Sequence, residues 1–112
     1  MTPTKEQLER LEKITQLPGI PAHEMQVREY LKEELSKYSA ELVFDKLGSI
    51  FAVKRSKQKN APKLMMSGHM DEVGFVVKQI TPKGMIRFYP LGRTWEHVIL
   101  AQRVKVYSGL NG

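Results

Sequence analysis

Hydrophobic residues recur at helical spacing over the first third of the chain, and this pattern predicts two amphipathic helices. The first spans residues 4–17, begins with the capping-box spacing of Thr4 and Gln7, and ends before Pro18. Its apolar stripe consists of Leu8, Leu11, Ile14 and Leu17. The second spans residues 22–38, and the residues that we expect to face inward are Val27, Leu31, Leu35 and Tyr38.

The pattern then changes to short apolar runs between turn residues, which is typical of strands. The predicted strands are residues 41–44, 49–54, 63–67, 73–80, 85–89 and 102–107. Residues 64–66, Leu-Met-Met, show no polar alternation, and such a run indicates a strand covered on both faces, hence an α/β sheet. Because no helical pattern follows Glu72, we predict a domain boundary there, with one unit over residues 1–72 and another over 73–112.

The composition excludes several classes of protein. The 112 residues are 41% hydrophobic and 27% charged, and no apolar run approaches the ~20 residues that span a bilayer. The chain contains no cysteine, which rules out thiolate metal sites, and no apolar signal segment follows Met1. These features favour a cytoplasmic location and no membrane partner.

The net charge of +6 invites a nucleic-acid interpretation. Much of the excess lies in one polar segment, in Lys54, Arg55, Lys57, Lys59 and Lys63. No aromatic residue interrupts this segment to stack on bases. We therefore interpret it as a solvated loop and expect no nucleic-acid partner.

The candidate chemistry lies directly after the predicted strand 63–67. His69 and Asp71 suit a metal site, because neutral imidazole binds zinc and a nearby carboxylate can orient it, and loops at the carboxyl ends of strands are where open α/β sheets bind ligands. A catalytic zinc needs about three protein ligands, and neither His23 nor His97 has ligand spacing to His69. Without its flanks, His69 is better interpreted as a hydrogen-bonded histidine at a strand end than as a ligand, and Asp71 can be interpreted as a turn residue that caps backbone amides.

Other residues have simpler structural interpretations. Glu72 points away from Asp71 on an extended chain, so we give it a structural role. Glu24 and Arg28 lie four residues apart on the predicted helix, as in a surface ion pair. We interpret Trp95 and His97 as side chains that anchor a loop. The methionines that we expect to fill the core are Met25, Met65, Met66, Met70 and Met85.

Residues 67–75, with residues 18–21, Glu24, Val27, Arg28 and residues 100–104, resemble the start of a glutamyl or deblocking aminopeptidase. This co-catalytic zinc or cobalt family includes the tetrahedral aminopeptidases. The sequence departs from it at Ala22, where glycine is common, and at residues 92–95. The resemblance implies that residues 1–72 begin a zinc-peptidase-like α/β catalytic domain. Residues 73–112 would be the opening strands of an inserted β-barrel dimerisation domain.

The resemblance also implies a reaction, the removal of amino-terminal residues from peptides by a metal-activated water. It makes His69 a ligand of one of two divalent ions, and Asp71 the catalytic-site carboxylate that holds its imidazole. Zinc or cobalt is implied, and manganese accepts the same ligands. The remaining ligands and the catalytic glutamate would follow Gly112, so we expect the 112-residue chain alone to be inert and to bind zinc at most weakly. Peptide substrates and a homo-oligomer, dimers assembled into a larger particle, are implied too.

Two other interpretations stay open. One is a small basic binding module with a self-sufficient fold and salt-sensitive polyanion binding. The other is an assembly module that keeps the dimerisation strands and has no catalytic activity. The aminopeptidase interpretation instead predicts exposed apolar surface and self-association.

Overall fold

The computed structural model describes residues 2–38 and 41–108 and shows a mixed α/β chain. Its elements are α1 (Lys5–Thr15), α2 (Met25–Ser36), β1 (Glu41–Phe44), β2 (Ile50–Val53), β3 (Gly74–Ile80), β4 (Ile86–Leu91) and α3 (Glu96–Ile99). The strands form two separate antiparallel pairs, β1 with β2 and β3 with β4. None of the helices within the described ranges is long and apolar enough to cross a bilayer.

Helix α1 begins at the predicted capping box. The Thr4 hydroxyl accepts a hydrogen bond from the Gln7 amide at 3.2 Å, and the Gln7 side chain accepts one from the Thr4 amide at 2.8 Å. The predicted apolar stripe is only partly covered, since Leu8 and Leu11 are 51% and 58% exposed. The start of α1 is therefore set by local hydrogen bonds rather than by burial of its apolar face.

The core lies on α2, which packs against β1 and β2. Val27 and Tyr30 are the buried hydrophobic side chains among the described residues. The prediction that Tyr38 faces inward is wrong, because Tyr38 follows the last helical residue and is 52% exposed. Its hydroxyl instead accepts a hydrogen bond from Arg10 Nη1 at 2.6 Å, which ties α1 to the end of α2.

Two antiparallel hairpins follow the helices. In the first, β1 pairs with β2 from Glu41 opposite Val53 to Phe44 opposite Ile50. In the second, β3 pairs with β4 with an irregularity between Val77 and Gln79. The rings of Phe75 and Phe88 meet edge to face across this pair, with centroids 4.7 Å apart. The four strands predicted at these places are confirmed to within two residues at each end.

Two predicted strands are wrong. Residues 63–67 and 102–107 have neither helix nor strand structure. Leu64, Met65 and Met66 are 87%, 85% and 88% exposed, so this run is not a strand covered on both faces. A central strand requires hydrogen-bonding neighbours on both sides, and the described residues place no strand beside it.

The predicted methionine core is also wrong. Besides Met65 and Met66, Met25 and Met85 are 51% and 67% exposed, and only Met70 is half-buried. The composition of these positions is that of a core, but covering them needs elements that the described residues do not place there.

Other differences are local. Helix α3 occupies a region where we expected no helix, and it includes His97, which we expected in a loop. A single helical turn is too short to show periodicity in the sequence. The described residues contain no Glu24–Arg28 ion pair, because the Glu24 carboxylate instead accepts a hydrogen bond from the Ala22 amide at 2.9 Å.

The chain is extended for its length. Its radius of gyration is 18.5 Å, whereas a compact domain of this size would have about 13 Å. Large apolar side chains are exposed along both hairpins and in residues 64–66. This agrees with the exposed apolar surface predicted from the aminopeptidase resemblance and disagrees with a self-sufficient basic module.

Candidate metal-binding loop

The candidate site lies in residues 67–73, here called the His69 loop. The loop has no helix or strand structure and leads directly into β3. It contains His69 and Asp71, which the sequence singled out, and both side chains are accessible, 84% and 44% exposed. A cation could therefore reach the imidazole from solvent.

Asp71 holds one side of the His69 ring. His69 Nδ1 lies 2.8 Å from the Asp71 carbonyl oxygen and 3.3 Å from Asp71 Oδ1. Because a carbonyl oxygen can only accept a hydrogen bond, Nδ1 carries the proton and donates it. In the neutral ring the lone pair is then on Nε2, which is the form of imidazole that binds a metal ion.

The Asp71 oxygen that lies nearest to His69 Nδ1 is the backbone carbonyl and not a carboxylate oxygen. We expected the carboxylate to hold the imidazole, but the backbone carbonyl lies nearer, by 2.8 Å against 3.3 Å. Backbone carbonyls and carboxylates both serve as hydrogen-bond partners of metal-ligating histidines. Asp71 can therefore orient the ring through its main chain as well as its side chain.

The described part of the chain supplies a single candidate ligand. Among residues 2–38 and 41–108, no group of three or more His, Cys, Asp or Glu side chains could hold a metal ion. His97 lies on α3 and His23 just before α2, and neither belongs to such a group. The site is therefore partial as far as these residues are concerned.

Glu72 joins the His69 loop to the start of the chain. Its amide donates to the Gly19 carbonyl at 2.8 Å, and its carboxylate accepts from the Gly19 amide at 3.0 Å. These contacts agree with the structural role predicted for Glu72. Residues 18–21 were interpreted from the sequence as a helix stop and as part of the family resemblance, and neither interpretation predicted the contact of Gly19 with Glu72.

Ala22, where the sequence departs from the resembled family, has an unusual backbone. Its φ of 69° lies in the left-handed region, which glycine adopts without cost and alanine does not. A glycine here would adopt this backbone without that cost, and the turn is present with alanine in its place.

The M42 glutamyl aminopeptidase family matches residues 48–111. The chain belongs to this family. It is 37% identical over 103 residues to the glutamyl aminopeptidase of Lactococcus lactis subsp. cremoris (strain MG1363). The aligned residues are 92% of this chain and 29% of that protein. It is 30% identical over 101 residues to the lysyl aminopeptidase of Pyrococcus furiosus, with coverage of 89% and 28%.

A solved structure is similar as well. The TET aminopeptidase from the marine sediment archaeon Thaumarchaeota archaeon SCGC AB-539-E09 has a TM-score of 0.73 and 35% identity, over 81% of this chain and 25% of that one. The M42 chain described here thus spans only between a quarter and a third of the length of these relatives. The predicted family and the mixed α/β fold are confirmed; the β-barrel and the boundary at Glu72 stay predictions.

Proposed function

We propose that this chain forms part of the active centre of an M42 metal-dependent aminopeptidase. His69 binds one of two divalent ions through Nε2, and Asp71 holds the imidazole in place. The observation that carries this proposal is the geometry of the ring, whose Nδ1 donates to Asp71 at 2.8 Å while the rest of the side chain is exposed.

The residues fit a metal ion as one ligand of a larger set. A neutral imidazole with a fixed tautomer suits zinc or cobalt, and manganese accepts it too. A two-metal site needs several more ligands. We place these, with the catalytic glutamate, in the segments of the relatives that this chain does not cover.

The bound ions would supply an activated water and polarise the scissile carbonyl. This chain's own contribution is positional. By accepting a hydrogen bond from Nδ1–H, Asp71 fixes the plane of the ring and raises the basicity of Nε2. Asp71 is thus the residue of the chain that prepares His69 for the metal.

The substrates that we propose are peptides with a free amino terminus. The two relatives named above are called glutamyl and lysyl aminopeptidases, although both match this chain over nearly its whole length. We therefore propose that specificity for the first residue is set outside the matched segment. A cytoplasmic location and assembly of dimers into a larger homo-oligomer belong to the same proposal.

A chimera tests the proposed function. The matched 103-residue segment of the Lactococcus lactis glutamyl aminopeptidase is replaced by the corresponding segment of this chain, and turnover of an aminoacyl chromogenic substrate is measured with zinc or cobalt. We expect metal-dependent turnover that His69→Ala reduces by roughly 100-fold or more, since a ligand matters at least as much as its hydrogen-bond partners. His23→Ala and His97→Ala are the matched controls and should retain turnover. Equal turnover in the His69→Ala chimera would contradict the proposal.

Metal binding by the 112-residue chain itself gives a second measurement. In a zinc titration followed by NMR, the ring signals of His69 should shift at lower zinc concentration than those of His23 and His97. Asp71→Ala removes the carboxylate oxygen 3.3 Å from Nδ1 but keeps the backbone carbonyl at 2.8 Å, so it should weaken this binding by less than about 10-fold. Indistinguishable responses of the three histidines would show that His69 has no special affinity.

A further inference from the structure

We propose that Glu72 is a positioning residue for His69, acting through its paired hydrogen bonds to Gly19. This pair is called the Glu72–Gly19 clamp below. The inference rests on the proposed function only in taking His69 as a metal ligand. The clamp's effect on the imidazole can be measured without any metal.

The clamp joins two segments that are far apart in sequence. The Glu72 amide donates to the Gly19 carbonyl at 2.8 Å and the Gly19 amide donates to Glu72 Oε1 at 3.0 Å. Within residues 2–38 and 41–108, these are the hydrogen bonds that connect residues 61–73 to the rest of the chain. The His69 loop is therefore held at this one place by polar contacts.

Close packing on both sides supports the clamp. A Cβ at Gly19 would lie 2.9 Å from Val27 Cγ2 and 3.4 Å from the Met70 carbonyl oxygen. A Cβ at Gly74 would clash with Ile20 Cγ2. Residues 19–20 therefore touch the backbone just before and just after Glu72, and Gly19 in turn rests on the buried Val27 of α2.

The clamp reaches His69 through a single peptide group. The carbonyl of Asp71 and the amide of Glu72 belong to the same peptide bond, and the described residues contain no cis bond. In a planar trans peptide the C=O and N–H point in opposite directions. When the N–H is fixed on Gly19, the C=O must point the other way, and it points at His69 Nδ1.

This geometry makes the tautomer of His69 depend on Glu72. If the clamp opens, the peptide plane between Asp71 and Glu72 can rotate. The Asp71 carbonyl then no longer points at His69 Nδ1, and the Nδ1 proton loses its nearest acceptor. A merely structural role for Glu72 would instead affect stability and leave the ring tautomer unchanged.

The experiment uses the 112-residue chain labelled with ¹⁵N in histidine. At pH 8.5, where an ordinary imidazole is neutral, long-range ¹H–¹⁵N correlation shows which ring nitrogen is protonated. We expect His69 to be protonated at Nδ1, and Glu72→Ala to convert it to a mixture of both tautomers. Glu72→Gln should restore the Nδ1–H form, because its amide oxygen can still accept from Gly19. Glu33→Ala, an exposed glutamate on α2, is the matched control and should change nothing.

Zinc affinity provides the link to function. Glu72→Ala should weaken binding at His69 by about 10-fold, as the loss of an outer hydrogen bond typically does, and Glu72→Gln should weaken it much less. If His69 binds no zinc while its tautomer still responds to Glu72→Ala, the proposed function fails and the clamp stands.

The unaltered chain offers a measurement that does not depend on a variant's folding. The Glu72 and Gly19 amides should exchange with solvent more slowly than the amide of Gly68, which has nothing within 4 Å of its Cβ position. Exchange at Glu72 as fast as at Gly68 would overturn the clamp. An unchanged Nδ1–H tautomer in a folded Glu72→Ala chain would overturn its positioning role.

Discussion

Two regions of this chain have similar apolar sequences but differ in how far their side chains are buried. In the region formed by α2, β1 and β2, Val27 and Tyr30 are 4% and 7% exposed. In residues 61–73, Leu64 and Met66 are 87% and 88% exposed. The first region finds its partners nearby in sequence, since a helix and a hairpin satisfy their backbone groups locally. The second has the composition of a buried strand but no neighbouring strand, so composition alone does not make it one.

The β3–β4 hairpin is intermediate between these two regions. Its backbone groups are paired, but Val76, Ile80 and Phe88 are 43%, 65% and 46% exposed. An isolated two-stranded hairpin is at best marginally stable in water. Backbone pairing and side-chain cover are therefore separate requirements. Among the described residues, the buried side chains are those of Val27 and Tyr30 on α2, whereas both hairpins leave large apolar side chains exposed.

The candidate site connects the mostly exposed residues 61–73 with the region that contains the buried Val27. The His69 loop belongs to the exposed region, but Gly19, to which it is bound, packs against Val27 in the covered region. The order of the loop should therefore depend on the core of α2, although the His69 side chain itself is 84% exposed.

Removing a core side chain should have the largest effect and gives the strongest test of the comparison. Tyr30→Ala should destabilise the chain by about 3 kcal/mol, as expected for a buried aromatic. Met66→Ala, at an 88% exposed position, should change the free energy of unfolding by less than about 0.5 kcal/mol. Urea denaturation followed by circular dichroism measures both. Comparable losses in the two variants would mean that residues 64–66 are covered in solution.

The difference between contacts with sequence neighbours and contacts with distant residues also decides which features of the fold the sequence predicted. The capping box at Thr4, the two long helices and the hairpin strands depend on neighbours within a few residues, and they were predicted correctly. The strand at 63–67 was wrong because a covered strand depends on distant partners. The buried position of Tyr30 was missed because the predicted stripe continued from Val27 to Leu31, four residues on, and left out Tyr30, which lies three residues on and on the same helix face.

The site shows a similar division. His69 and Asp71 lie two residues apart, so their contact could be expected from the sequence. The role of Gly19 could not, because it lies 53 residues from Glu72 and its contact depends on the packing of residues 18–21 against α2. The family resemblance pointed to the loop but not to what holds it.

Ala22→Gly should sharpen the comparison from the opposite direction, by strengthening the connection between the two regions. Relief of the positive φ of 69° should stabilise this turn by about 1–2 kcal/mol, less the ~0.5 kcal/mol that glycine adds in unfolded-chain entropy. Slower amide exchange at Gly19 and Glu72 would report the gain. Ala52→Gly, within β2 and outside the positive-φ residues, is the control and should destabilise its hairpin. Faster exchange at Gly19 in Ala22→Gly would contradict the strain at this turn.

The smallest effect concerns pH and separates the two hairpin turns. The Ser49 side chain and the backbone amides of Ser49 and Leu47 donate hydrogen bonds to the Asp45 carboxylate and lower its pKa from the usual 3.8. In the other turn the Met85 amide donates to the neutral hydroxyl of Thr81. Because the Asp45 pKa is lower in the folded chain, its stabilisation is present above pH ~4 and is lost as the pH falls through the folded value.

Amide chemical shifts and exchange rates recorded from pH 6 to pH 2 measure this difference. The Leu47 and Ser49 amides should lose protection in acid, while the Met85 amide should not respond. Asp45→Asn keeps an acceptor oxygen but no titrating group, so it should abolish the response of the first turn. If both turns responded alike and the response survived in Asp45→Asn, acid would be acting on the chain as a whole. The α2–β1–β2 region would then be no more independent of its surroundings than the exposed hairpin is.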